Sequence, residues 1–150
     1  MMNILKRNWG FDSNILIYSF DEKSLFFRKA YSLFEFCKDK NLPLYLTQQN
    51  IVETERVLIH MYKVRTSTAI EQIEDIIDAF NINILTPLPN TYMRYHEFLK
   101  RYKNRDIFDL FLAATYIDNG IHDLFTVNTK DFYSIPDFNA VNPLTLTLED

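Results

Sequence analysis

Short β-like runs alternate with longer stretches of helical periodicity along the chain. That alternation constrains the fold more than any other feature. Strands joined through helices run parallel in one sheet, with the helices packed on its faces. The spacing predicts a strand in the apolar run from Trp9 that ends near Asp12-Ser13-Asn14. Further strands are predicted at 44–47, 83–85, 122–127 and 139–142, and helices at 24–40, 48–62, 68–80, 90–102 and 106–118. Thr68 and Glu71 are spaced as a capping box, and Gly120 stands where a helix C-cap belongs.

A chain of 150 residues with 47% hydrophobic content is the right size for a single domain, 1–150, with a substantial core. Two glycines disfavour a Gly-rich phosphate loop, and one cysteine, Cys37, excludes an internal disulfide and a Cys-built zinc site. No apolar run approaches the roughly 18 residues of a membrane helix. The first ten residues carry no signal-peptide pattern, so the expectation is a soluble, cytoplasmic protein with no membrane partner. A net charge of −4 leaves nucleic-acid binding to a local basic patch.

The placement of certain carboxylates is more informative. Asp12 follows the first strand, Glu53 lies in the first turns after the strand ending at Thr47, and Asp131 follows the strand through Phe125. Sites on parallel sheets gather outside the C-terminal strand ends. Asp109 lies in a helix so apolar that a carboxylate there needs a cation, a donor or a metal. Converging acids with few nitrogen or sulfur donors select Mg²⁺ or Mn²⁺, which suits phosphodiester hydrolysis. The structural alternative makes Asp12 and Asp106 helix caps and Asp131 a turn residue.

Four segments resemble the motifs of PIN domains, in order. Phe11-Asp12-Ser13-Asn14-Ile15-Leu16-Ile17-Tyr18 looks like the opening Asp-(Ser/Thr)-Asn motif. Thr47 to Glu53 is similar to the second motif, Ile107 to Thr115 to the third, and Phe125 to Phe132 to the fourth. Ile135-Pro136 and Val141-Asn142-Pro143 fit the closing strand of VapC-like toxins. The resemblance implies an α/β fold, a PIN-like three-layer α/β/α sandwich around a mostly parallel sheet of four or five strands. It also implies a metal-dependent endoribonuclease that cuts single-stranded RNA or tRNA, as the toxin of a type II toxin–antitoxin pair. Such a protein forms a homodimer and is blocked by a small antitoxin.

On that resemblance, Asp12, Glu53, Asp109 and Asp131 are the catalytic and metal-holding residues for Mg²⁺ or Mn²⁺. Asn14 and Ser13 would brace Asp12, Thr126 and Asn128 would orient water or phosphate, and Asp106 would either cap its helix or add an outer oxygen. Asn128 stands where many members carry Asp, and Glu55 competes with Glu53 for the second position. Arg94, Arg101 and Arg105 fall on one helical stripe near Tyr92, Tyr95 and Tyr102, a pattern suited to RNA phosphates and bases. The bland reading of that stripe is a solvated face with a Glu97–Arg101 pair. Glu71, Glu74, Asp75 and Asp78 read as a solvated face, and His60, His96 and His122 are too scattered for a ligand set. Phe26, Phe27, Phe34 and Phe36 exceed what one helix face buries, which favours a dimer contact. The competing functions are a PIN-like interaction module without activity and a structure-specific DNA nuclease.

Overall fold

The computed structural model describes residues 4–146. Five strands form one sheet: β1 (Trp9–Phe11), β2 (Leu44–Thr47), β3 (Asn83–Leu85), β4 (Asp123–Phe125) and β5 (Asn139–Val141). Their order is β3-β2-β1-β4-β5, and every neighbouring pair is parallel. Six α-helices accompany them: α1 (Ser13–Tyr18), α2 (Phe27–Asp39), α3 (Gln48–Arg56), α4 (Thr66–Ala79), α5 (Thr91–Arg101) and α6 (Ile107–Asp118). A wider π-helical turn, Val57–Met61, extends α3.

Strand alternation divides the core between the two faces. Trp9, Phe11, Leu44, Leu46 and Phe125 join Ile15, Leu33, Phe34, Cys37 and Ile76 in one cluster, built with α1, α2 and α4. Leu124 joins Leu110, Ala113, Tyr116 and Phe98 in the other, under α5 and α6. This is the expected three-layer arrangement. Trp9 and Phe125 stack at 4.0 Å across neighbouring strands and fix the centre of the first layer.

Three helices that feed strands end alike. After α2, α4 and α6 a residue in the left-handed region reverses the chain: Asn41 (φ 54°), Asn81 (φ 50°) and Gly120 (φ 78°). The next residue then donates back into the last turn, Leu42 to Cys37, Ile82 to Ile77 and Ile121 to Tyr116. That is the Schellman motif, with the apolar residue that follows turned inward. At the opposite edge, β1 and β2 run straight into helices, because Asp12 and Thr47 are at once strand ends and N-caps.

Most predicted elements are present with shifted ends. The first strand stops at Phe11, close to its expected end, and Ile15, Leu16 and Ile17 belong to α1, since the Asp12 cap starts a helix at Ser13. The second helix begins at Phe27, and Ser24 instead closes a turn by accepting from the Phe26 N–H. The Thr68/Glu71 capping box is absent: α4 starts at Thr66 after extended Arg65, without a side-chain cap. Phe34 is fully buried and Phe27 and Phe36 are half-buried, so the expected Phe-rich surface reduces to Phe26 beside Leu25. Among the described residues no helix is long and apolar enough to cross a membrane.

Candidate active site

The chain lays strands to one side of β1 first and then to the other, so the order reverses between β1 and β4. Parallel sheets open a crevice at such a point. Asp12 stands at its floor, at the end of β1, and is 6% exposed. Its Oδ1 accepts the Ser13 N–H at 2.7 Å, and its Oδ2 accepts the Thr126 hydroxyl at 2.7 Å and the Asn14 amide at 3.3 Å. Thr126, at the end of β4, is itself held by donors from Asn14 (3.2 Å) and the Asn128 N–H (3.1 Å). Burial pushes the Asp12 carboxyl up to about 6 against the donors of Thr126 and Ser13, with Glu53 and Asp131 adding to the rise.

The expected Ser13 brace on Asp12 comes from its backbone alone. Its hydroxyl donates instead to Glu53 Oε2 at 2.6 Å. Asn50 Nδ2 donates to that same hydroxyl at 3.1 Å, and Asn50 is fixed in turn by a capping box with Thr47. Gln49 Nε2 donates to Glu53 Oε1 at 2.8 Å and to the Phe108 carbonyl at 2.9 Å. Both Glu53 oxygens therefore accept, whereas no hydrogen bond ties Glu55 to any of these groups. Gln49 Oε1 is buried with no donor among the described residues.

Asp109 sits in the first turn of α6, not mid-helix as its apolar neighbours suggest. Asp106 is the N-cap of that helix, accepting from Phe108 and Asp109, so its capping role is realised. The Asp109 carboxylate has no hydrogen-bond donor among the described residues. Burial raises it to about 7, and the charges of Asp12, Asp106, Asp131 and Glu53 raise it in the same direction. Asp131 reaches this field from a 3-10 turn, Thr129–Phe132, after β4. The exposed Asn128 serves through its backbone.

Five carboxylates, Asp106 included, thus share one electrostatic neighbourhood, and among the described residues no Lys or Arg forms an ion pair with any of them. No three His, Cys, Asp or Glu side chains of the described residues already close into a metal cage. The donor set nevertheless fits a hard divalent cation: it is all oxygen, anionic and mutually repelling.

The basic stripe divides. α5 ends at Arg101, so Arg105 lies in the loop beyond it and the expected stripe does not continue. Arg105 donates to the Asp131 carbonyl at 3.1 Å and lies 4.9 Å over the Tyr102 ring, with Arg101 at 5.7 Å from that ring. Arg94 is bound at 2.6 Å to Asp118, at the far end of α6 and about 13 Å along the helix from Asp109. No Glu97–Arg101 pair forms among the described residues.

Sequence reasoning missed Asn50, Gln49 and Tyr116. The first two lie three and two residues after Thr47, and the capping position of Asn50 was a usable signal. Tyr116 offered none, being one more aromatic in an apolar helix.

A parallel α/β sheet with an anionic, oxygen-lined crevice at its switch point is the class of protein this site defines. The PIN domain model matches residues 11–137, and the chain belongs to the PIN domain family. No curated protein sequence matches it. Among solved structures, VapBC2 of Rickettsia felis, bound to a promoter DNA fragment, superposes with a TM-score of 0.70 at 18% identity. That match covers 89% of this chain and 97% of the other. The Sarcin–Ricin loop cleaving toxin VapC20 of Mycobacterium tuberculosis gives a TM-score of 0.67 at 13% identity, over 83% and 93%. A toxin–antitoxin complex from Klebsiella pneumoniae gives 0.62 at 25% identity, over 91% and 98%.

Proposed function

We propose that this chain is a Mg²⁺- or Mn²⁺-dependent endoribonuclease acting on single-stranded RNA or tRNA, and the toxin of a type II toxin–antitoxin pair. The observation that carries the reading is the shared field on Asp109, a carboxylate raised to about 7 by burial and by four neighbouring acids. An arrangement so costly without a cation suits one that binds a cation. A bound divalent ion would acidify the attacking water and offset charge building on the scissile phosphate. Asp12, Glu53, Asp109 and Asp131 would hold it. Thr126, Asn14, Ser13 and Gln49 keep the oxygens of Asp12 and Glu53 oriented. Arg105 and Arg101, around Tyr102, would bind the RNA strand on the Asp131 side.

Membership of the PIN family and the likeness to toxins solved with their antitoxins support a small antitoxin protein as partner, in the cytoplasm. A second copy of the chain completes the reading as a homodimer, with Leu25 and Phe26 the exposed apolar residues near α2. We take the single domain to be 1–150.

The test is cleavage of single-stranded RNA by the purified chain with Mn²⁺ or Mg²⁺, beside an EDTA control and an Asp109→Asn variant. Cutting that needs metal and is lost in the variant is expected. No cutting, together with no Mn²⁺ binding by calorimetry, would favour an interaction module. Cleavage of flap DNA in preference to RNA would favour a structure-specific DNA nuclease.

A further inference from the structure

β1 and β2 stop bonding to each other after the Gly10–Tyr45 pair. The sheet continues on either side of that split, β1 with β4 to Phe11–Phe125 and β2 with β3 to Thr47–Leu85. The Tyr116 hydroxyl, from α6, fills the split. It accepts the Phe11 N–H at 3.1 Å. It stands 2.6 Å from the Phe11 carbonyl, 3.2 Å from the Tyr45 carbonyl and 3.1 Å from Asn50 Oδ1. One proton faces three acceptors, and the shortest contact gives it to Phe11. Burial holds this phenol well above its ordinary range, so the proton stays. The ring reaches so deep only because residue 10 is Gly: a Cβ there would lie 2.4 Å from Tyr116 Cε1.

Two of the residues around the hydroxyl, Phe11 and Asn50, lead to site carboxylates. Phe11 immediately precedes Asp12. Asn50 donates to Ser13, and Ser13 donates to Glu53.

We propose that Tyr116 is a positioning residue for the candidate site: its hydroxyl sets how far the ends of β1 and β2 stand apart, and thereby the Asn50–Ser13–Glu53 chain. Its consequence for catalysis rests on the nuclease reading above; its geometry does not. Outer partners of metal-holding groups typically change affinity about ten- to a hundredfold when removed.

Tyr116→Phe is the test, because it keeps the ring over Gly10 and deletes only the oxygen. Some loss of melting temperature is expected whatever the role, since the Phe11 N–H loses its partner. Positioning predicts more. The carboxyl ¹³C resonance of Glu53 moves while that of Asp131, across the crevice, holds. Mn²⁺ affinity measured by calorimetry falls about tenfold or more. kcat falls with it while the KM for RNA is kept. Tyr116→Phe costs less Mn²⁺ affinity in a Glu53→Gln background than in the wild-type chain, because the route to Glu53 is then already gone. A variant that melts earlier yet keeps the Glu53 resonance and the Mn²⁺ affinity would reduce Tyr116 to a strut and overturn the proposal. A wild-type chain inert toward both Mn²⁺ and RNA would instead sink the nuclease reading, and the Glu53 resonance would still decide for or against Tyr116.

Discussion

The Thr126 hydroxyl donates to Asp12 Oδ2 at 2.7 Å across the crevice between β4 and β1, and both residues are out of water. This contact opposes the burial that raises Asp12, since a donor to the carboxylate favours its charged form. Thr126→Val keeps the shape and removes the donor. It also removes the acceptor used by Asn14 and the Asn128 N–H. The Asp12 carboxyl, now at about 6, should titrate higher in the variant by NMR. Stability should fall by about 1–3 kcal/mol, the usual cost of orphaned buried polar groups. An Asp12 titration unchanged in Thr126→Val would deny this hydroxyl its role.

The pH dependence of the metal-free chain has an unusual sign. Asp12 rises from 3.8 to about 6 on folding, so between those values the folded state binds more protons than the unfolded. Its stabilising contribution is full below about pH 4 and is lost as pH rises through about 6. That contribution is about 3 kcal/mol, and Asp109, raised to about 7, extends the loss toward neutrality. Melting temperature in EDTA should therefore fall from pH 5 to pH 8 on account of this pair, and Mn²⁺ should restore it at pH 8. Asp109→Asn, one charge fewer in the cluster, should be more stable to unfolding than wild type in EDTA at pH 8, by about 1–3 kcal/mol. It should gain little from Mn²⁺. A variant no more stable than wild type under those conditions would mean that the acids do not strain the fold.

Gly10 and Tyr116 form a second coupled pair. A Cβ at residue 10 would meet ring atoms of Tyr116 at 2.4, 2.6 and 2.9 Å. The ring cannot swing away, because its hydroxyl is pinned between the two strands. Gly10→Ala should cost about 1–3 kcal/mol in denaturant unfolding. In a Tyr116→Ala background the same change should be nearly neutral. Additive losses in the double variant would show that the clash is relieved elsewhere.

These residues also mark what could be read from the sequence and what could not. β2 and β3 match their predicted bounds, and Asp12, Glu53 and Asp131 lie after strands as expected, because these features depend on near neighbours in the chain. Thr47 both ends a strand and caps a helix, so the distance to Glu53 is set locally. Tyr116 acts on Phe11, 105 residues away, and on Asn50, 66 away, and no periodicity encodes that. Thr68 and Glu71 had the spacing of a cap, but the chain enters α4 two residues earlier and leaves both inside its first turns. The three arginines shared a stripe only while the helix was assumed to run past Arg101.

That last difference separates the arginines experimentally. Arg105 is anchored to the Asp131 turn and lies over Tyr102, so its remaining donors are at the edge of the acid crevice. Arg94 is engaged by Asp118 at the other end of α6. For single-stranded RNA each lost phosphate contact lowers the slope of log affinity against log salt by about 0.7. Arg105→Ala should weaken RNA binding at low salt and reduce that slope by about this amount. Arg101→Ala should act in the same direction, since its guanidinium shares the Tyr102 ring. Arg94→Ala should leave both RNA affinity and its salt slope unchanged. Its cost is confined to a half-exposed ion pair, at most about 1 kcal/mol of stability. Binding by a catalytically silent Asp109→Asn chain, titrated at two salt concentrations, makes the comparison without cleavage. If Arg94→Ala weakens binding as much as Arg105→Ala does, RNA lies along the outer face of α5 and not across the loop that carries Arg105.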